Sequence, residues 1–127
     1  MSTVTTTNPS SLGPAIAPYS QAAAANGFVH VAGQVALDKD NNVVAPGDAK
    51  QQTKVALDRV KVILAEYDLD LTDIVSATVF ITDLADFAPF NEGWAEQFGD
   101  HRPARATVVA GLLMEGLTVE IQVVAAQ

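Results

Sequence analysis

The hydrophobic residues of this chain change their spacing several times along its length, and that alternation restricts the folds it can adopt. From Asp48, apolar residues recur at steps of three and four and predict an amphipathic helix that Asp48 caps, with Lys54, Asp58, Arg59 and Lys61 on its other face. Residues 74–82 alternate apolar and polar side chains, which predicts a strand. A second helix is predicted to open near Asp86, with an aromatic stripe typical of a core: Phe87, Phe90, Trp94 and Phe98.

Further strands are predicted on both sides of these helices. Residues 19–25 and 28–35 flank Asn26-Gly27, a pair that tolerates the positive φ angles of a type I′ turn, so we expect a β-hairpin. Residues 104–110 and 117–125 are expected to form a second hairpin, and residues 3–6 a short strand. Right-handed crossovers would place both helices on the same side of the sheet. The sequence therefore predicts an α+β fold, a mixed β-sheet with two helices packed on one face.

The second face of this sheet is expected to be too apolar for free solvent and too polar for the core of a monomer. It is predicted to carry Phe28, Ile74, Phe80, Val109 and Val124 among Ser76, Thr78, Thr107 and Gln122. Such a mixed surface is typical of a contact between subunits.

Length and composition exclude several classes of protein. A chain of 127 residues suits one compact domain, residues 1–127. Its net charge of −8 disfavours a nucleic-acid partner, because an acidic protein repels phosphate backbones. The absence of cysteine excludes a disulfide, a thiolate nucleophile and a cysteine-ligated metal. His30 and His101 lack ligand spacing, so no metal site is predicted.

Targeting and cofactor signals are also missing from the sequence. The first basic residue is Lys39, and no apolar run approaches the ~18 residues that span a membrane. We therefore expect a soluble, cytoplasmic protein with no membrane association. No phosphate loop or dinucleotide glycine motif occurs, and no cofactor is predicted.

Arg105 and Glu120 are the residues of the second predicted hairpin that could carry chemistry. Matching the apolar faces of its two strands would place their side chains roughly 5 to 8 Å apart. One interpretation is an exposed cross-strand ion pair, worth about 0 to 1 kcal/mol. The other is a site at the subunit contact, where the guanidinium captures a small carboxylate and the glutamate orients or deprotonates water. Catalysis as a base would require a raised pKa for Glu120.

Six segments that span nearly the whole chain carry a family resemblance. They are APYSQA (17–22), VAGQV (31–35), QTKVAL (52–57), DIVSATVFITDLADFAPFN (73–91), RPARATV (102–108) and VEIQVVA (119–125). Together they resemble the reactive intermediate deaminase family, RidA/YjgF, also called the endoribonuclease L-PSP family. The resemblance implies a fold similar to that of the trimeric chorismate mutases, and a homotrimer with pockets between its subunits.

The resemblance also implies a reaction and roles for individual residues. The reaction is hydrolysis of reactive enamines and imines (2-aminoacrylate/2-iminopropanoate and 2-iminobutanoate) to 2-oxo acids and ammonia, without metal or cofactor. By motif, Arg105 would hold the substrate carboxylate and Glu120 would position the attacking water. The residues that match the substrate pocket are Tyr19, Ala32, Gly33, Asn91 and Thr107, of which Ala32 stands where serine is usual and Thr107 where cysteine is often found.

Two alternative functions remain open. The first is a non-catalytic trimer that binds small carboxylates or protein partners, favoured by the absence of the usual serine at Ala32. The second is endoribonuclease activity, against which stand the charge of −8 and the lack of an evident acid–base histidine pair.

Overall fold

The computed structural model describes residues 3–127 and contains a six-stranded mixed sheet with two α-helices. The strands are β1 (Thr5–Thr7), β2 (Ala22–Ala25), β3 (Phe28–Val35), β4 (Ile74–Ile81), β5 (Ala104–Val109) and β6 (Val119–Ala126). The helices are α1 (Ala49–Ala65) and α2 (Phe87–Phe98), and three short 3₁₀ turns span Ser10–Leu12, Leu71–Asp73 and Leu84–Asp86. The predicted α+β class and mixed sheet are confirmed. The expected short strand forms as β1, beside β2.

The local signals at Asn26-Gly27 and Asp48 act as predicted. Asn26 and Gly27 have φ angles of 54° and 82°, so both central residues of the β2–β3 turn take the positive φ that a type I′ turn requires. Asp48 precedes α1, and its side chain accepts a hydrogen bond from the Gln51 backbone N–H at 3.0 Å.

Both helices bury their apolar stripes against the same face of the sheet, although two side chains depart from the predicted pattern. In α2, Phe90, Trp94 and Phe98 are buried, but Phe87 is 43% exposed because it lies at the first turn, beyond the edge of the core. In α1, Arg59 was expected on the outer face, yet it is only 8% exposed. Its aliphatic stem follows the same stripe as Ala56 and Ile63, and its guanidinium finds buried acceptors.

The predicted second hairpin is wrong, because β5 and β6 are not neighbours. The strand order is β1-β2-β3-β6-β4-β5, in which β5 pairs in parallel with β4 alone and β6 lies antiparallel between β3 and β4. Helix α2 returns the chain from β4 as a crossover, which makes β5 parallel to β4 and leaves it at the sheet edge. Strand β6 takes a central place because Val119, Ile121, Val123 and Ala125 present a fully apolar face to the helices.

The face of the sheet away from the helices is mixed in character, as predicted, but its membership differs. Phe28 is exposed there at the end of β3, and Phe80, Val124, Ser76, Thr78 and Gln122 share this open face. Ile74 instead lies in the core, at 2% exposure. Thr107 and Val109 lie on the helix side, since parallel pairing aligns them with Val79 and Ile81.

Candidate functional site

Arg105 lies on β5 and extends over the aromatic face of α2. Its Nη2 donates to Asn91 Oδ1 at 2.9 Å, and its Cζ lies 4.9 Å from the centroid of the Phe90 ring and 5.0 Å from that of Trp94. These contacts orient the guanidinium through a hydrogen bond and two cation–π interactions. Burial lowers the pKa of Arg105, but a guanidinium stays cationic at physiological pH.

An open cleft of about 300 Å³ surrounds this guanidinium, and we call it the arginine cleft. It is lined by Asn91, Trp94, Ala95, Arg102, Pro103 and Arg105. Asn91 occupies one guanidinium N–H, so further donors remain for a ligand. Because guanidinium geometry matches a carboxylate, the arginine cleft is suited to a small carboxylate despite the overall charge of −8.

Glu120 lies on β6, on the open face of the sheet. Its side chain is partly buried and forms no hydrogen bond or ion pair with any other residue in the range 3–127. Desolvation by burial raises the pKa of Glu120 above its usual value, the direction expected for a carboxylate that acts as a general base.

A second and larger cleft, of about 430 Å³, opens at Glu120, and we call it the glutamate cleft. Its lining is mostly apolar and comprises Ile16, Ala17, Tyr19, Ser20, Ala32, Gly33, Val35, Leu113, Met114, Leu117, Glu120 and Gln122. Low polarity around a carboxylate disfavours its charged form, which accounts for the raised pKa of Glu120.

Gly33 comes into contact with Glu120 because β3 contains a bulge. Val31 pairs with Val123 while Gln34 pairs with Ile121, so β3 has one more residue than β6 across this stretch. A Cβ atom on Gly33 would lie 2.7 Å from Glu120 Oε2 and 2.8 Å from Glu120 Cδ. The carboxylate therefore occupies space that only a glycine leaves free.

Buried amide side chains hold the bulged segment in place. Gln34 Nε2 donates to Gln21 Oε1 at 2.8 Å and to the Ala32 carbonyl at 3.0 Å, and the Ala32 N–H donates to the Gln21 carbonyl at 2.9 Å. The sequence interpretation missed this glutamine pair, although Gln21 and Gln34 both lie within the quoted family segments.

The site residues expected from the sequence divide into two groups on opposite faces of the sheet. Arg105 and Asn91 share the arginine cleft, whereas Tyr19, Ala32, Gly33 and Glu120 share the glutamate cleft. The expected proximity of Arg105 and Glu120 within one chain is wrong, because β4 separates their strands: Arg105 pairs with Ala77 and Glu120 with Phe80. Thr107 follows Arg105 along β5 and is absent from the lining of both clefts.

Residues 3–127 also lack the features of a metal centre and of a membrane-spanning helix. That range contains no group of three or more His, Cys, Asp or Glu side chains placed to hold a metal ion. Neither helix within it has the length and apolar character needed to cross a bilayer.

Comparison with known proteins identifies related sequences. Residues 10–127 match the family model described as endoribonuclease L-PSP. A RutC family protein of Pyrococcus abyssi is 40% identical over 110 residues, which cover 87% of each chain. The 3-aminoacrylate deaminase RutC of Acinetobacter baylyi is 39% identical over 88% of this chain and 89% of its own. Mmf1 of Saccharomyces cerevisiae, named as mitochondrial, is 40% identical over 90% of this chain and 78% of its own, so the cytoplasmic location stays a prediction.

Solved structures extend the similarity to three dimensions. The YjgF gene product of E. coli superposes with a TM-score of 0.86 at 31% identity, over 97% of this chain and 98% of its own. E. coli TdcF with bound serine gives a TM-score of 0.81 at 33% identity, over 91% of this chain and 92% of its own.

Proposed function

Since the chain belongs to the endoribonuclease L-PSP family, also known as RidA/YjgF, we propose that it hydrolyses small enamines and imines to 2-oxo acids and ammonia. The observation that carries this proposal is a glutamate of raised pKa without a partner among residues 3–127, in a mostly apolar cleft beside a glycine. The related deaminase of Acinetobacter baylyi acts on 3-aminoacrylate according to its name, which supports the same class of reaction.

Arg105 supplies the binding part of the proposed reaction. Its guanidinium, oriented by Asn91, Phe90 and Trp94, pairs with the carboxylate of a 2-imino acid and fixes the position of the neighbouring imine carbon. TdcF is described with bound serine, a small molecule that also carries a carboxylate, which supports a ligand of this size.

Glu120 supplies the proton transfers. Its carboxylate accepts a proton from water while the water oxygen bonds to the iminium carbon and the C=N π electrons move to nitrogen. Glu120 then returns the proton to that nitrogen and becomes a carboxylate again. The C–N bond breaks with its electron pair on nitrogen, and the departing ammonia takes up the hydroxyl proton as the carbonyl forms. An enamine enters the same route once its β-carbon takes up a proton from solvent to give the iminium ion.

We further propose that the complete site lies between subunits of a homotrimer. Within one chain the arginine cleft and the glutamate cleft face away from each other, so they can serve one substrate only when different subunits contribute them. The open face of the sheet, with Phe28, Phe80 and Val124, offers apolar surface for such a contact.

Ammonia release from freshly generated 2-aminoacrylate tests the proposed activity. We expect the protein to accelerate release, and Arg105→Ala to lower kcat/KM by about 10²-fold or more. Lys61→Ala removes a surface cation of α1 and serves as the matched control, with unchanged activity. If the wild type and Arg105→Ala were both inactive toward several imino acids, the proposed enzymatic activity would be excluded.

The second candidate is a non-catalytic module that binds small carboxylates. It is favoured by Ala32, which contributes no hydroxyl to the glutamate cleft where a serine is usual. Titration with 2-oxobutanoate distinguishes the two: saturable binding that Arg105→Ala abolishes, in protein that turns over no imine, selects the binding module.

A further inference from the structure

Arg59 is a buried cation that has only neutral partners among the residues the structure describes. It lies on α1 at 8% exposure, where Nε donates to Gln34 Oε1 at 3.0 Å and Nη1 donates to the Leu37 carbonyl at 3.1 Å. No carboxylate between residues 3 and 127 forms an ion pair with it. Two of its five N–H donors are thus engaged, and its positive charge has no counter-ion from this part of the chain.

A small cavity of about 20 Å³ lies against the Arg59 side chain. Pro14, Tyr19, Gln21, Gly33 and Asn41 contribute to its wall. The volume is enough for one water-sized species, since a single occupant needs about 10 to 15 Å³ on this measure. An anion as large as gluconate, with its six-carbon chain, exceeds this volume.

The charge of Arg59 makes an anion a better occupant than water. Burial lowers the pKa of Arg59, which reflects the cost of removing a guanidinium from solvent. Amide and carbonyl dipoles offset part of that cost, and an unpaired buried charge remains strongly unfavourable. An ion of opposite charge in the adjoining cavity would offset the rest, and its size is set by the cavity.

We propose that Arg59 and this cavity form a binding site for one monovalent anion the size of chloride. The site is separate from the arginine cleft and does not depend on imine hydrolysis. Its wall shares Tyr19 and Gly33 with the glutamate cleft, so an anion bound there would also support the wall that faces Glu120.

Thermal unfolding in different sodium salts at one ionic strength tests the proposal. We expect Tm in chloride or bromide to exceed Tm in gluconate, and to rise by about 4 °C for each tenfold increase in chloride above its dissociation constant. Arg59→Gln should abolish this dependence and Arg59→Lys should retain part of it. Lys61→Met, which removes an exposed cation from the same helix, should leave the dependence unchanged.

Crystals of the wild-type protein grown in sodium bromide give an independent readout if Arg59→Gln does not fold. An anomalous bromide peak beside the Arg59 guanidinium is expected. Equal Tm values in chloride and gluconate without such a peak would mean that the cavity holds water only. A chloride dependence that persists in Arg59→Gln, or a bromide peak only at Arg105, would also overturn the proposal.

Discussion

At the scale of single residues, the carboxylate of Glu120 can occupy its cleft because residue 33 has no side chain. A Cβ atom added to Gly33 would approach Glu120 Oε2 to 2.7 Å, which is closer than Cβ atoms come to their neighbours in real proteins. An alanine at this position must displace the Glu120 side chain, which is flexible and can move at little cost to the fold. Gly33 therefore affects the position of the proposed base more than it affects stability.

Gly33→Ala is expected to lower kcat/KM for imine hydrolysis by about tenfold or more, because it displaces Glu120 from the position in which we propose that it activates water. Tm should change little. Gly111→Ala is the matched control, since a Cβ there meets no atom within 4 Å. Full activity in Gly33→Ala would show that the observed position of Glu120 is not needed for the reaction.

Glu120→Gln separates catalysis from stability. The folded-state pKa of Glu120 is raised above 4.5, so the folded protein binds its proton more tightly than the unfolded chain does. The resulting stability is present below pH 4.5 and is lost as pH rises through the folded pKa. We expect Glu120→Gln to be as stable as the wild type below pH 4.5. At pH 7 it should unfold at a slightly higher urea concentration than the wild type, and its rate of imine hydrolysis should fall by about 10²-fold or more. Urea denaturation from below pH 4.5 to pH 7 measures the difference in stability, and ammonia release at pH 7 measures the loss of activity. A Glu120→Gln variant less stable than the wild type at pH 7 would contradict the raised pKa of Glu120.

At the scale of elements, one side chain of α1 joins the helix to the segment that leads into β6. Gln52 Oε1 accepts from the Thr118 N–H at 2.8 Å and from Thr118 Oγ1 at 3.0 Å, while its Nε2 donates to the carbonyls of Val44, Ala45 and Gly116. Gln52 is fully buried, so these groups have no access to solvent if it is lost. The network positions the start of β6, two residues before Glu120.

Gln52→Leu should lower the free energy of unfolding by about 2 to 5 kcal/mol, because it keeps the volume of the side chain but leaves several buried polar groups unpaired. Urea denaturation measures the difference. Gln51→Leu changes the neighbouring exposed glutamine and should shift stability by less than about 0.5 kcal/mol. Similar stabilities for the two variants would mean that the Gln52 network contributes little.

The elements themselves were predictable from residue spacing, while their neighbours in the sheet were not. Periodicity indicates which face of a strand is apolar, but it does not indicate which strand lies beside it. The sequence therefore predicts a β5–β6 hairpin that the structure does not contain. In α1 a positional signal existed for the buried polar residues. One buried stripe of α1 has residues at steps of four, three and four: Gln52, Ala56, Arg59 and Ile63. Because Gln52 and Arg59 are polar, a search for apolar residues alone misses their place on this stripe.

At the scale of the whole molecule, the candidate site is divided between two clefts on opposite faces of the sheet. This division limits how much of the site could be predicted from the sequence. The family motifs include two residues that line the arginine cleft, Arg105 and Asn91, and four that line the glutamate cleft: Tyr19, Ala32, Gly33 and Glu120. Their proposed arrangement between subunits could not follow from strand register, because side chains on opposite faces of a sheet do not meet within one chain. Thr107 illustrates this limit, as it shares the Arg105 side of β5 without lining either cleft.

A mixing experiment tests the proposed sharing of sites. Arg105→Ala and Glu120→Gln should each be inactive alone. When the two are unfolded together and reassembled in equal amounts, random assembly of a trimer pairs an intact arginine cleft with an intact glutamate cleft at about a quarter of the sites. We expect about a quarter of the wild-type activity per site, measured as imine hydrolysis.

The controls for mixing are each variant reassembled alone and the two variants combined without unfolding. If each site were contained within one chain, the mixture reassembled after unfolding would recover no imine hydrolysis, just like these controls. Sedimentation of the wild-type protein as a monomer would contradict the trimer itself.

The central position of β6 bears on how the protein is made. Strands β3 and β4 both pair with β6, which comes after every other strand in the chain order. A ribosome that has produced residues 1–118 has therefore released two strand edges whose common partner is not yet synthesised. Until that partner emerges, the nascent polypeptide exposes the edges most prone to pair with other chains. The interval before residues 119–126 emerge is when a chaperone would be most useful to it.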